Sequence, residues 1–167
     1  MGVSDTDTCV VTVEDTIKPS ISITTPLNGT ILNEDYLTVY WSADDSGSGI
    51  DHYCIRVDDH MWTNVGTSAS YTITHLTDGH HTIAVRAYDV AGNYNDDFIV
   101  LIVDTTKPTV HITSPSNNTS IASATFTVTW SGNDTTSGID HYEVKLDGHN
   151  WINVDRNTTY TFSDIDD

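Results

Sequence analysis

Residues 41–62 read WSADDSGSGIDHYCIRVDDHMW, and residues 130–151 read WSGNDTTSGIDHYEVKLDGHNW. The two stretches are offset by 89 residues. Aligned at this offset without a gap, residues 18–78 and 107–167 are identical at 26 of 61 positions. Self-similarity at a fixed period indicates tandem duplication. The chain is therefore a repeat protein, and its function is expected to be one that repeat arrays perform.

Each copy of this stretch has the pattern of a strand, an acidic turn, a second strand and a tight turn. Apolar residues occupy every second position of both strands, which predicts strands with one buried face. In the first copy these residues are Leu37, Val39 and Trp41, then Tyr53, Ile55 and Val57, the latter alternating with Cys54 and Arg56.

The tight turn follows at Asp58 in the first copy and at Asp147 in the second. Glycine adopts a positive φ at no steric cost, so we expect Gly148 to hold that conformation and Asp59 to adopt it in the first copy. The tryptophans that follow, Trp62 and Trp151, are expected to pack in the core or against the hairpin.

The first complete repeat is predicted to span residues 18–106, with about seven strands. Turn signals recur every 8 to 12 residues, and no segment has helical periodicity, which favours an antiparallel β-sandwich. Ile83, Val85 and Ala87 are predicted to share one face of a long strand. The second repeat, residues 107–167, aligns with the first only as far as Asp78 and is expected to lack the last two strands.

Residues 1–17 match the last strand of the complete repeat and the linker that follows it. Cys9, Val11 and Val13 align with Phe98, Val100 and Ile102, so they are predicted to form a row that faces a core. The segment is either the terminal strand of a preceding repeat in a longer array or a donor strand. As a donor, Thr8 to Val13 would add to the edge at Tyr142 to Leu146 in a neighbouring copy, giving a head-to-tail filament.

The net charge of the chain indicates which kinds of partner it can bind. Six Lys and Arg residues stand against 24 Asp and Glu, of which only three are Glu, and the formal net charge is −18. Nucleic acid and anionic membranes are poor partners for such a chain, and cations are good ones. No apolar run approaches the roughly 20 residues of a membrane span.

A set of motifs carries a family resemblance: GSGIDHY with a tryptophan about ten residues later, HTIAVRAYDVAGN, and the closing DTTKP. Together they resemble the immunoglobulin-like, fibronectin type III-like tandem repeats of bacterial and archaeal cell-surface and extracellular proteins. The resemblance implies an all-β fold of two tandem antiparallel immunoglobulin-like β-sandwiches, the second incomplete, and an extracellular or cell-surface location. It implies no single activity.

Acidic loops predict calcium sites. In this class of sandwich, the loop after the second strand and the loop before the last strand lie at the end where the preceding linker enters. Several carboxylates with backbone oxygens suit a hard cation such as Ca²⁺, although aspartates are also common turn formers exposed to water. The first predicted set is Asp15, Asp44, Asp45, Asp89 and Asn93, and the second is Asp104, Asn133 and Asp134.

Other chemistry is weakly represented. No catalytic fingerprint is present, so we expect no enzyme. His80 and His81 could bind a transition metal, but adjacent residues of a strand point to opposite faces, so they are weak candidate ligands. Asn-x-Ser/Thr sequons, which predict N-glycosylation of a secreted protein, occur at Asn28, Asn117, Asn118, Asn133 and Asn157.

Three functions fit the sequence. The first is a non-catalytic structural repeat of a surface protein or filament, bound to copies of itself or to neighbouring repeats. The second is an adhesin or carbohydrate-binding module, for which Trp62 and Trp151 should lie flat on the surface near Tyr36 or Tyr40. The third is an accessory domain of a secreted hydrolase, for which the full-length gene would encode a catalytic domain.

Overall fold

The computed structural model describes residues 14–163, and this part of the chain contains strands and no helix. The strands are β1 Ser20–Thr25, β2 Ile31–Leu32, β3 Leu37–Asp44, β4 Ile50–Val57, β5 Thr63–Gly66, β6 Ser70–Ile73, β7 Gly79–Asp89, β8 Tyr94–Val103, β9 Thr109–Ser114, β10 Phe126–Asn133, β11 Glu143–Val144, β12 Ile152–Asn153 and β13 Thr159–Phe162. The prediction of an all-β chain is confirmed.

The strands of the first repeat form two sheets. One has the order β1-β3-β6 and the other β2-β8-β7-β4-β5. The short strand β2 pairs with β8 in parallel, and the other pairs are antiparallel. The two sheets face each other, since Trp41 of β3 contacts Tyr53 of β4 edge to face, with ring centroids 5.6 Å apart.

The predicted alternation defines the core of this sandwich. On β7, Ile83, Val85 and Ala87 are fully buried, and Leu37, Val39 and Trp41 are buried on β3. Burial of such side chains stabilises the folded state by about 25 cal/mol for each Å² of apolar surface removed from water. This burial is the main stabilising contribution to the fold.

The strands of the second repeat form the sheets β13-β10-β9 and β11-β12. Their buried core is small: Val128, Trp130 and Val154, with partly buried aromatic and aliphatic side chains packed around them. Trp130 makes the same edge-to-face contact as its counterpart Trp41, here with Tyr142 at 5.9 Å.

The described residues divide into two compact units. The first unit contains residues 14–30, 36–74 and 81–101, and the second contains residues 31–35, 75–80 and 102–163. The predicted boundaries at residues 17 and 106 stay predictions.

Two features of the first repeat differ from the sequence expectation. The structure has eight strands rather than seven, because Ile31 and Leu32 pair with Ile102 and Val103 at the end of β8. Cys54 was expected on the outer face of β4 but is buried, with 8% of its surface exposed.

The positive φ of the tight turns falls on aspartate, not where it was predicted. Asp58 has φ 52° and Asp147 has φ 47°, while neither Asp59 nor Gly148 is in the left-handed region. Aspartate is one of the non-glycine residue types that most often adopt this conformation. Both repeats therefore have the turn where it was predicted, with the positive φ one residue earlier than expected.

The inward row predicted for β8 is wrong. Phe98 is 64% and Val100 36% exposed, whereas Ile99, Leu101 and Val103 are buried. The prediction that Cys9, Val11 and Val13 face a core was drawn from this row by alignment. These three residues themselves lie outside the described part of the chain.

Candidate functional site

Three aspartates converge where the segment before β1 meets two loops of the first unit. Asp15 precedes β1, Asp45 follows β3, and Asp89 ends β7. One carboxylate oxygen from each lies within 4.8 Å of the others, a spacing at which one ion could contact all three. Like charges this close repel one another unless a proton or a cation intervenes.

Asp15 is held in place by main-chain donors. Its Oδ1 accepts a hydrogen bond from Ile17 N (2.9 Å), and its Oδ2 accepts one from Ser48 N (2.7 Å). These two bonds lower the pKa of Asp15 below its usual value, so the carboxylate is charged at neutral pH. Gly47 lies directly beneath the carboxylate, and a Cβ at this position would collide with it.

Asp89 is the buried member of the cluster, and Asp45 is partly buried, as Asp15 is. Asp89 is only 2% exposed, and its carboxylate accepts hydrogen bonds from the main chain and the side chain of Asn93, both at 2.8 Å. Asp45 Oδ2 accepts hydrogen bonds from Gly47 N and Gly49 N, whereas Asp45 Oδ1 is buried and has no hydrogen-bond partner. A buried carboxylate oxygen without a donor costs free energy, which a bound cation would recover.

Asn93 acts on the cluster as a donor. Its Nδ2 donates to Asp89 Oδ2, to the main-chain oxygen of Asp15 at 3.0 Å and to that of Ile17 at 3.3 Å. It therefore fixes the positions of the carboxylates, whereas it had been predicted as a ligand. Asp44, also predicted as a ligand, is the exposed last residue of β3, pairs with Ser20, and is not part of the cluster.

The second predicted set is arranged in a related way. Asp104, 8% exposed, accepts hydrogen bonds from the main chain and the hydroxyl of Ser137, which lowers its pKa below the usual value. Asp134 Oδ1 accepts hydrogen bonds from three successive main-chain amides, those of Thr136, Ser137 and Gly138. Asn133 is exposed at the end of β10. Within the described part of the chain, neither Asp104 nor Asp134 belongs to a group of three converging His, Cys, Asp or Glu side chains.

The linker after β8 has an additional anchor that sequence reasoning missed. Asp78 accepts hydrogen bonds from the main chain and hydroxyl of Thr105 and from the hydroxyl of Thr106, at 2.6 to 2.9 Å. The Thr106 hydroxyl contributes most to lowering the pKa of Asp78 below its usual value. The repeated aspartate of LTDG was the available signal, since it aligns with Asp167.

Sequence reasoning also missed a pair beside the first tight turn. Asp58 Oδ2 lies 2.9 Å from Nδ1 of the buried His81, and Asp58 Oδ1 accepts a hydrogen bond from Thr82 N. His81, considered above only as a weak metal ligand, thus joins β7 to the turn after β4.

The tryptophans of the two repeats differ in accessibility. Trp62 is half-buried, with the guanidinium of Arg56 4.8 Å and that of Arg86 4.5 Å from its ring centroid. Trp151 is 58% exposed, and Lys145 lies 4.8 Å from its ring centroid. Trp151 therefore does not pack in the core, the first of its two expected positions, and its contact with Lys145 fits the second, packing against the hairpin.

All five predicted glycosylation sites, Asn28, Asn117, Asn118, Asn133 and Asn157, have exposed side chains. The described part of the chain contains no helix long and apolar enough to span a bilayer.

These features define a protein of tandem β-sandwich repeats. The family model described as "Bacterial Ig domain" matches residues 19–85 and 108–166, and the chain belongs to this family. Domains of this kind are typically non-catalytic and often occur in extracellular proteins.

No curated protein matches the chain. Solved structures are similar to it at low sequence identity. The fibronectin(III)-like modules of Clostridium thermocellum CbhA are similar at a TM-score of 0.55 and 17% identity, over 87% of this chain and 80% of that one. The PKD1 domain of Vibrio anguillarum Epp has a TM-score of 0.43 and 11% identity, over 55% of this chain and 100% of that one. At 17% identity, the likeness to the CbhA modules shows the fold alone.

Proposed function

We propose that the chain is a non-catalytic structural repeat of an extracellular surface protein or filament, with linkers stiffened by carboxylates. One observation carries this proposal: the aspartate before the first strand of each repeat binds an acidic loop, the loop after β3 in the first repeat and the loop after β10 in the second. Asp15 accepts a hydrogen bond from Ser48 N, and Asp104 accepts hydrogen bonds from Ser137. Each bond removes rotational freedom from a linker that proline already restricts.

In the first unit, calcium strengthens this attachment. The convergence of Asp15, Asp45 and Asp89 supports this part of the proposal, as does the unpartnered Oδ1 of Asp45. Oxygen ligands from carboxylates suit Ca²⁺, and waters and main-chain oxygens complete the coordination of such sites. Exposed sequons support the extracellular location, where millimolar calcium is the relevant range.

Calcium is expected to raise the melting temperature of the protein. An ion that binds only the folded state at about 100 times its dissociation constant stabilises that state by about 2.7 kcal/mol. We expect calorimetry to show the higher melting temperature at about 10 mM CaCl₂, a concentration chosen for a weak extracellular site. EDTA should reverse it, and Asp45→Asn should reduce it strongly.

The matched control is Asp44→Asn, which removes the same charge from the neighbouring, exposed residue. If both variants respond to calcium like the parent chain, the ion binds elsewhere. If the parent itself does not respond, the aspartates act only through the hydrogen bonds described above.

A second candidate function, glycan binding, is favoured by the exposure of Trp151 alone. Its accessible ring could stack on a sugar, whereas the two guanidinium groups packed against Trp62 limit access to that ring. Affinity electrophoresis in neutral polysaccharides should then show retardation that Trp151→Ala abolishes and Trp62→Ala leaves unchanged. Equal mobility of all three proteins would dismiss this function.

A further inference from the structure

The outer face of the five-stranded sheet in the first repeat carries a second layer of side chains. Ile83 and Val85 on β7 are buried in the core, so Arg86, the next residue, points to the outer face. Cys54 on β4 pairs with Arg86, and residues that pair across two strands share a face. Cys54 is nevertheless only 8% exposed. Other side chains on the outer face must therefore cover it.

The covering layer consists of cationic groups and aromatic rings. The guanidinium of Arg86 lies 4.5 Å from the ring centroid of Trp62 and 4.1 Å from that of Tyr94. The guanidinium of Arg56 lies 4.8 Å from the ring centroid of Trp62. Lys18 lies 5.8 Å from the ring centroid of Tyr94, so the layer holds three of the six Lys and Arg residues of the chain. Contacts at these distances are cation–π interactions, which hold the side chains in place before any ligand binds.

The two arginines of this layer differ in their partners. Arg86 donates from Nε and Nη2 to the two carboxylate oxygens of Asp96, at 2.6 and 2.8 Å. Arg56 makes no hydrogen bond or ion pair within residues 14–163, and its Nε is buried without an acceptor. A buried donor without an acceptor costs free energy, which a carboxylate from a partner would recover.

Exposed apolar side chains lie on the same face of the sheet. Ile99 and Leu101 on β8 face the core, so the alternate residues Phe98 and Val100 point outward, where they are 64% and 36% exposed. Met61, which precedes the tryptophan of the layer, is 90% exposed. Arginine and aromatic residues are enriched at the energetic centres of protein interfaces, and exposed apolar residues beside them are typical of an interaction site.

The strand register places the free guanidinium and the exposed phenylalanine in one row. Arg56 on β4 pairs with Ala84 on β7. The ion pair of Arg86 with Asp96 aligns β7 with β8, so Phe98, two residues after Asp96, lies beside Ala84. Strands in a sheet are about 4.8 Å apart, so Arg56 and Phe98 begin about 10 Å from each other on the two sides of a small residue.

We propose that this outer face binds an acidic segment of another protein, which places a carboxylate on Arg56 and apolar side chains on Phe98 and Val100. The ion pair of Arg86 with Asp96 is the same arrangement made within the chain. An acidic polysaccharide fits the face less well, because its hydroxyl groups would lose water against apolar side chains without gaining hydrogen bonds. The inference goes beyond the proposed function, since the partner is neither a calcium ion nor a copy of this chain.

The test measures the affinity of the full chain for a random copolymer of glutamate and tyrosine, which presents carboxylates beside apolar rings. The parent chain should bind it, and Arg56→Gln should weaken binding by about tenfold or more. Arg56→Lys should recover part of the loss, because lysine keeps the charge but lacks the planar pair of donors. The matched control is Arg156→Gln, which removes the same group from an exposed position of the second unit and should bind like the parent.

Phe98→Ser provides a second test that does not depend on the packing of Arg56 against Trp62. Its side chain is largely exposed, so the melting temperature should stay the same while affinity for the copolymer falls several-fold. Polygalacturonate, which presents carboxylates on sugar rings, should bind more weakly than the copolymer. Absence of copolymer binding, tighter binding of polygalacturonate, or equal affinities of Arg56→Gln and Arg156→Gln would each overturn the proposal. The titrations are done in EDTA, so their outcome is separate from that of the calcium experiment.

Discussion

Trp41→Ala should lower the free energy of unfolding of the first unit by about 3–5 kcal/mol, the usual cost of deleting a buried tryptophan side chain. Trp41 is 4% exposed and lies against Tyr53 in the interior between the two sheets. Its indole Nε1 is buried without a hydrogen-bond partner, so the loss is one of packing. Denaturant titration followed by circular dichroism measures this change in unfolding free energy. Hydrogen exchange assigns it to the unit that unfolds.

The matched substitution Trp130→Ala should cost less, below about 3 kcal/mol, because a site with less buried surroundings loses fewer contacts. Trp130 is 7% exposed, but Val110 and Ile112 on the neighbouring strand are largely exposed. Its Nε1 is also buried without a partner, so the two variants differ in packing and not in hydrogen bonding. Equal losses of unfolding free energy in the two variants would contradict the inference that the surroundings of Trp130 are less buried than those of Trp41.

The core could be predicted from the sequence wherever polar residues alternate with apolar ones. The alternation on β3 and β7 identified the residues that are buried there, because successive side chains of a strand point to opposite faces. On β8 the run FIVLIV is apolar at every position, and such a run does not show which face is inward. The structure selects Ile99 and Leu101 over Phe98 and Val100.

The candidate site was predictable in part because the duplication and the sandwich topology bring the linker and two loops to one end. Asp15, Asp45 and Asp89 do converge. What the sequence could not decide was which of two neighbouring aspartates takes part. Strand β3 extends to Asp44, which is exposed. The end of the strand depends on the pairing of Asp44 with Ser20, which lies 24 positions earlier in the sequence.

The tight turns show the same limit. Glycine is the residue type that adopts a positive φ most easily, which favours Gly148. In the structure Asp147 and Asp58 adopt it instead. For Asp58, the structure supplies a reason that lies 24 residues away in the sequence: its carboxylate accepts a hydrogen bond from Thr82 N. Contacts over such a separation leave no local signal.

Asp58→Ala should therefore destabilise the first unit by about 2 kcal/mol or more, the sum of two effects. The first is the loss of the acceptor for Thr82 N and for the buried His81, since an unsatisfied buried group costs about 1–3 kcal/mol. The second is an alanine at φ 52°, a conformation that alanine tolerates less well than aspartate by on the order of 1 kcal/mol.

Asp147→Ala separates these effects, because Asp147 has nearly the same φ, 47°, at the matching turn. Within residues 14–163 its carboxylate makes no hydrogen bond, so only the lower intrinsic tolerance of alanine for a positive φ should remain, a cost of at most about 1 kcal/mol. Asp58→Asn is the complementary variant, because asparagine tolerates a positive φ and keeps one oxygen acceptor. Its cost should fall between those of the two alanine variants.

The pH dependence of stability provides a readout that backbone strain does not affect. Burial raises the pKa of Asp58, but the hydrogen bonds from Thr82 and His81 outweigh it, and the pKa lies below the usual value of 3.8. The carboxylate therefore stabilises the folded state fully above about pH 4, and this contribution is lost as the pH falls through the lowered pKa. The stability difference between the parent chain and Asp58→Asn should accordingly shrink below pH 4, whereas the difference caused by Asp147→Ala should not depend on this ionisation. A difference for Asp58→Asn that stays constant from pH 7 to pH 3 would show that the Asp58 charge contributes nothing to the fold.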